Sequence, residues 1–136
     1  MTAAKIWLRI VGSLYLLEGV GLTLMALFAP ERFAATWAVA PAGSIDALGV
    51  RAALIAGLPG VLTWVLLGAL LWIYSRAPQR ARTLIIVVAA WELLVWIPVD
   101  AVSTFQVFDP GRIALSAIHL LIGVTGIVIL RRLPAS

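Results

Sequence analysis

The chain has 136 residues, of which 63% are hydrophobic and 12% charged, with a net charge of +4. A soluble domain of this length carries about a quarter charged residues, so this one would leave its surface too apolar for water. The lack of cysteine excludes disulfides, thiol redox relays and thiolate metal sites, and the single histidine, His119, excludes bis-histidine haem ligation and histidine-box di-iron chemistry within one chain.

Four apolar segments each approach or exceed the roughly 20 residues needed to cross about 30 Å of hydrocarbon. The first covers residues 6–29 and follows Lys5. It resembles a signal peptide in outline. Its length, the presence of Glu18 and the lack of a small-x-small site at Ala29-Pro30 favour a retained span. The next stretch, residues 30–45, begins with Pro30, which suits a first helical turn, and sets Phe33 and Trp37 four apart on one face. Residues 31–39 are read as a short helix lying on the membrane surface, with an irregular loop as the alternative. The second span covers residues 52–74, with room for one or two earlier turns. Its Gly57-Leu58-Pro59-Gly60 is read as a backbone break.

A basic turn, residues 75–82, leads to the third span at residues 83–102. There Pro98 frees the carbonyl of Leu94. Asp109-Pro110-Gly111 is a turn signal before the fourth span at residues 113–130. On that span Ser116, His119, Gly123 and Gly126 share a small-residue face suited to close helix packing. Short linkers favour antiparallel neighbours. The expected fold is therefore all-α: one domain, residues 1–136, forming an antiparallel bundle of four transmembrane helices.

Orientation follows from Lys and Arg placement. Lys5, Arg9, Arg76, Arg80, Arg82, Arg131 and Arg132 fall on one side, against Arg32, Arg51 and Arg112 on the other. The first side is read as cytoplasmic, so both termini are inside. All six acidic residues (Glu18, Glu31, Asp46, Glu92, Asp100 and Asp109) lie within the spans or toward the outer face. The basic balance thus reflects topology, and nucleic acid is not expected as a partner; the lipid bilayer is. Trp7, Trp72 and Tyr74 mark the inner interface, and Trp37, Phe105 and Phe108 the outer one. Arg9 is read as snorkelling to the inner headgroups.

Ionisable residues inside a span usually face a partner or a cavity, because each costs roughly 2.5–3.5 kcal/mol on insertion scales. Glu18 and Glu92 each fall about 15–16 Å from the outer end of their helix and so are expected at one depth. Glu92, Trp96 and Asp100 form one stripe at i, i+4, i+8. His119 lies about 9 Å below the outer end of the fourth span. Together these residues suggest a polar pocket half a membrane deep, open to the outer side or laterally to lipid. Glu92, Glu18, Asp100 and His119 are the candidate catalytic residues. Trp91, Trp96, Tyr15, Trp64, Asp46 and Arg51 are the candidate substrate contacts. The bland alternatives are a structural Glu18–Glu92 pair, an interfacial Asp46–Arg51 salt bridge, Trp64, Trp91 and Trp96 as packing bulk, and a His119 that hydrogen-bonds a neighbouring helix. No cofactor and no metal site are expected.

The segments Ile45-Asp46-Ala47-Leu48-Gly49-Val50-Arg51-Ala52 and Trp91-Glu92-Leu93-Leu94-Val95-Trp96-Ile97-Pro98-Val99-Asp100 resemble patterns in the BphX-like group of small bacterial membrane proteins. That resemblance implies a four-span architecture and a bacterial cytoplasmic membrane, with no activity attached. Leu17-Glu18-Gly19-Val20-Gly21-Leu22-Thr23-Leu24-Met25 is similar to the first helix of small multidrug-resistance transporters. The later helices depart from that family, and Glu92, Asp100 and His119 are additional to it.

Three functions stay open on the sequence. The leading one is a membrane-embedded binder of a lipophilic small molecule that converts it by acid/base chemistry, of isomerase or terpenoid-type cyclase kind. Glu92 would be the proton donor, Glu18 the base, Trp91 and Trp96 cation-stabilising walls, and Asp100 with His119 the orienting pair. The second is a proton-coupled transporter acting as a homodimer. The third is a non-catalytic subunit of a larger membrane complex, for which the small-residue face of the fourth span is suited.

Overall fold

The computed structural model describes residues 2–38, 40, 43–106 and 110–133, with the backbone alone at 103–106 and 110–112. The turn expected at Asp109 and the interfacial Phe108 lie outside the described residues, as do the side chains of Phe105 and Arg112. The chain is helical, with no strand among the described residues. In order come α1 (Ala3–Phe28), α2 (Pro30–Ala38) and α3 (Ala47–Tyr74), then a 3₁₀ turn (Pro78–Ala81), α4 (Arg82–Trp91), a π-helical turn (Glu92–Trp96), α5 (Ile97–Gln106) and α6 (Pro110–Arg132). Four helical stretches are long and apolar enough to cross a membrane: Ala3–Phe28, Ala47–Tyr74, Pro78–Val102 and Ile113–Arg132. Each contains an expected span and extends past it by a few residues, except that the first stops one residue short.

The contacts divide the chain into two compact units. One comprises Gly12–Leu70. Here α1 and α3 run antiparallel and touch through glycines. A β-carbon on Gly68 would lie 2.8 Å from the Gly12 carbonyl oxygen, and one on Gly19 would lie 2.8 Å from the side chain of Val65. Helix α2 forms where the sequence places it. Its apolar face is turned into protein. Phe33 is fully buried with Ala26 and Val61, and it stacks on Trp37 with ring centroids 5.9 Å apart. Both rings lie over Gly57, where a β-carbon would meet Phe33 at 2.8 Å and Trp37 at 2.9 Å. The Gly57–Gly60 stretch is therefore no break. Helix α3 continues through Pro59, and the glycines make room for the α2 aromatics. Asp46 caps α3, its Oδ1 accepting from the Gly49 N–H at 2.7 Å. No Asp46–Arg51 salt bridge is present among the described residues.

The other unit comprises Met1–Val11 and Leu71–Ser136. Its centre is an antiparallel hairpin of the α4–π–α5 rod against α6, and the pairings run in opposite sequence directions. Arg82 at the start of α4 donates to the Leu130 and Leu133 carbonyls at the far end of α6. These are the carbonyls a helix C-terminus leaves unpaired. One turn on, Gly126 fits between Ala89 and Trp7, and Gly123 lies under Leu93. The small-residue face of α6 is thus used inside the chain. The Trp7 indole N–H donates to Thr125 Oγ1 at 2.9 Å. Arg9 donates to Ser75 Oγ at 3.4 Å and lies over the Trp72 ring at 5.3 Å. All seven basic residues assigned above to one side belong to this unit. Ala3, Gln79, Arg132 and their neighbours line a groove of about 270 Å³ there, so the N-terminal segment, the 75–82 turn and the C-terminal segment share one end of the unit.

Candidate functional site

The polar residues of the third and fourth spans converge within the hairpin unit. Their meeting follows from helix geometry. His119 is nine positions on from Pro110, the start of α6, and Ile97 is nine positions before Gln106, the end of α5. At 1.5 Å per residue, His119 is therefore level with the middle of the Glu92–Trp96–Asp100 stripe rather than with its outer end. The stripe is modified locally by the π-helical turn at Glu92–Trp96, in which the Ile97 N–H reaches back to the Glu92 carbonyl. Its cause lies just beyond. Pro98 has no N–H, and its ring would collide with the Leu94 carbonyl of a regular helix. The widened turn relieves that collision and keeps the rod continuous. Such turns frequently occur at functional sites.

His119 is held between two carboxyl groups. Its Nδ1 is hydrogen-bonded to Glu92 Oε2, 2.5 Å away. Its Nε2 is 3.9 Å from Asp100 Oδ2. The Trp96 indole stacks on the imidazole, with centroids 5.4 Å apart and planes inclined by 12°. Glu92, Asp100 and His119 are 0%, 3% and 4% exposed, so all three are withdrawn from the surface. Asp100 Oδ2 is buried without a hydrogen-bond partner among the described residues. The hydrogen bond lets Glu92 and His119 exchange a proton, whereas the wider gap to Asp100 holds no hydrogen bond.

Four sequence-selected residues, Glu92, Trp96, Asp100 and His119, thus form one cluster. Their neighbour Trp91 is 43% exposed, on a different face of its helix from fully buried Glu92. Glu18, Tyr15, Trp64, Asp46 and Arg51 belong to the Gly12–Leu70 unit. There Tyr15 and Trp64 are buried, Glu18 is half-buried, and Asp46 and Arg51 are exposed. Sequence reasoning treated His119 and Asp100 as an orienting pair and did not join His119 directly to Glu92. The register of the hairpin was the missing signal, because α6 begins three residues before the apolar run that marked it. Among the described residues no group of three or more His, Cys, Asp or Glu side chains is arranged to hold a metal ion.

Comparison with protein-family models, with curated proteins and with solved structures finds no match. The functional reading therefore rests on the site.

Proposed function

We propose that the chain is an integral protein of a bacterial cytoplasmic membrane, with a buried acid/base centre that binds and converts a lipophilic small molecule. The observation that carries this reading is His119 held between the buried carboxyls of Glu92 and Asp100, with Trp96 stacked on its ring. A proton donor, an acceptor and a cation-tolerant aromatic face are the parts an isomerase or terpenoid-type cyclase uses. Glu92 and His119 form the proton-transferring pair in this reading, Trp96 shields positive charge, and Asp100 orients the substrate. The base role first given to Glu18 passes to His119, the partner that lies beside Glu92.

Both termini are placed on the cytoplasmic side, which the seven-to-three distribution of Lys and Arg supports. Helix α2 then lies near the outer interface. The likeness of residues 45–52 and 91–100 to the BphX-like group supports the bacterial assignment.

Proton-coupled transport by a homodimer is the second reading. The Glu92–His119–Asp100 line favours it, because chains of intramembrane carboxyl and imidazole groups serve as proton relays in pumps and transporters. The accessory-subunit reading loses its sequence argument, since Gly123 and Gly126 are covered within the chain.

Mass spectrometry of lipophilic compounds carried through purification tests the proposal. A compound should accompany the wild-type protein, and Glu92→Gln should retain it unconverted. His119→Asn should likewise retain only the unconverted form. An identical compound profile in all three proteins would remove the acid/base reading. Proton-dependent flux of that compound across proteoliposomes would select the transport reading.

A further inference from the structure

The groove at the basic end of the hairpin unit lies where three spans terminate. Ala3 opens the first, Pro78 opens the third, and Arg132 closes the fourth. The groove is therefore at the ends of the apolar stretches, at headgroup depth. Its polar lining consists of Arg132, Gln79 and Thr2, each able to donate a hydrogen bond. The Arg132 side chain makes no hydrogen bond or ion pair among the described residues. Thr2 Oγ1 accepts from the Lys5 N–H at 3.4 Å, which leaves its own proton to give. An anion at a helix C-terminus would ordinarily meet bare carbonyls. Here Arg82 donates to those of Leu130 and Leu133, so a guanidinium already covers the end of α6. No acidic side chain occurs in residues 1–17, 71–91 or 110–136, the stretches that supply this end.

We propose that this groove seats the phosphodiester headgroup of one anionic phospholipid. The proposal is independent of the acid/base reading and holds whichever side of the membrane this end faces. A phosphodiester offers a negative charge and acceptor oxygens, which an Arg side chain binds by two parallel hydrogen bonds. Basic pockets at span ends recognise anionic headgroups by this chemistry. The volume, about 270 Å³, lies just below the range of about 300–1,000 Å³ that encloses a drug-sized molecule. It suits a headgroup and leaves the acyl chains outside. Apolar stripes run from the groove to receive them. Ala3, Ile6 and Ile10 share a face of α1, where Ile6 and Ile10 are 41% and 57% exposed. On α6, Val128 and Val124 follow Arg132 at i−4 and i−8 and are 42% and 46% exposed. A free phosphate ion would use the donors and leave these stripes idle. A choline headgroup would bring a cation among basic residues, with no acidic side chain to meet it.

Native mass spectrometry of the full chain, released from detergent micelles, counts bound lipids one at a time. The wild type should take one phosphatidylglycerol with an apparent affinity about tenfold or more above that for phosphatidylcholine of the same chains. Arg132→Gln should weaken phosphatidylglycerol about fivefold, the worth of one basic residue at a headgroup. Arg76→Gln removes the same charge from an exposed position that does not line the groove, and should weaken it by less than about twofold. Ala3→Phe fills the groove at constant charge and should bring phosphatidylglycerol down to the level of phosphatidylcholine. Ala3, Arg76 and Arg132 are all exposed, so the three variants should fold. Equal losses at Arg132 and Arg76, the mark of diffuse surface attraction, overturn the site. So does undiminished binding by Ala3→Phe, or phosphatidylcholine held by the wild type as tightly as phosphatidylglycerol. Displacement of the bound lipid by excess inorganic phosphate would make the groove a free-anion site and removes the lipid assignment.

Discussion

The two units of the chain pack their helices by opposite means. In Gly12–Leu70 side chains are removed at the contact. Gly12, Gly19 and Gly68 bring α1 and α3 close, while Gly57 and Gly60 receive the rings of Phe33 and Trp37. Around Glu92 and His119 side chains are added, and polar ones at that. A carboxyl and an imidazole meet across the helix contact within a proline-widened turn. Glycine contacts are an inexpensive way to join helices in lipid, where the apolar solvent gives little drive for association. Buried ionisable groups cost free energy there. A unit that could have used the first device throughout, and that does use it at Gly123 and Gly126, retains the second at one depth. On the function proposed above, the chemistry belongs to the hairpin unit.

The largest expected effect is on the polar side of this comparison. Glu92→Leu strips His119 of the partner at its Nδ1 and should cost about 3 kcal/mol, the upper end of the loss when a buried hydrogen-bonding group is left unsatisfied. Reversible unfolding in mixed micelles measures it. A loss below about 1 kcal/mol would show that the cluster is solvated and the contrast between the units is false.

On the glycine side, Gly68→Val places a methyl-bearing carbon against the backbone oxygen of Gly12, which cannot swing away. A destabilisation of about 1–3 kcal/mol is expected from overpacking, read by the same unfolding assay. Asp46→Ala removes the cap of α3 and should cost about 1 kcal/mol. Gly21 is the internal control. No atom lies within 4 Å of a β-carbon placed there, so Gly21→Ala should be neutral or should stabilise by up to about 1 kcal/mol through helix propensity. Equal losses at Gly21 and Gly68 would mean that glycine acts through the backbone alone and not through helix contact.

The helices were legible in the sequence because spanning length and mean hydropathy leave few alternatives to a helix in lipid. The stripe Glu92–Trp96–Asp100 was legible because helical periodicity relates positions on one element. What periodicity cannot give is the register between elements. The ends of α5 and α6 were placed from the edge of the apolar run, yet α6 starts at Pro110. That offset hid the Glu92–His119 contact. The packing of the aromatic face of α2 was hidden for a related reason. Phe33 and Trp37 read as an interfacial face when taken alone, and only Gly57 and Gly60 on another helix reveal the cleft that takes them. Pro98 was correctly marked as a disturbance. Pro59 was not one, because α3 accommodates it without interruption.

The central claim is that Glu92 and His119 act as one unit, and a double-mutant cycle tests it most directly. Unfolding free energies are compared for the wild type, Glu92→Leu, His119→Leu and the double variant. The two residues are in contact, so their effects should fail to add by at least about 1.5 kcal/mol. The double variant should lose less stability than the two single losses summed, because neither member of the pair is left without the other. Additivity within about 0.5 kcal/mol would contradict the pairing, and with it the acid/base centre built upon it.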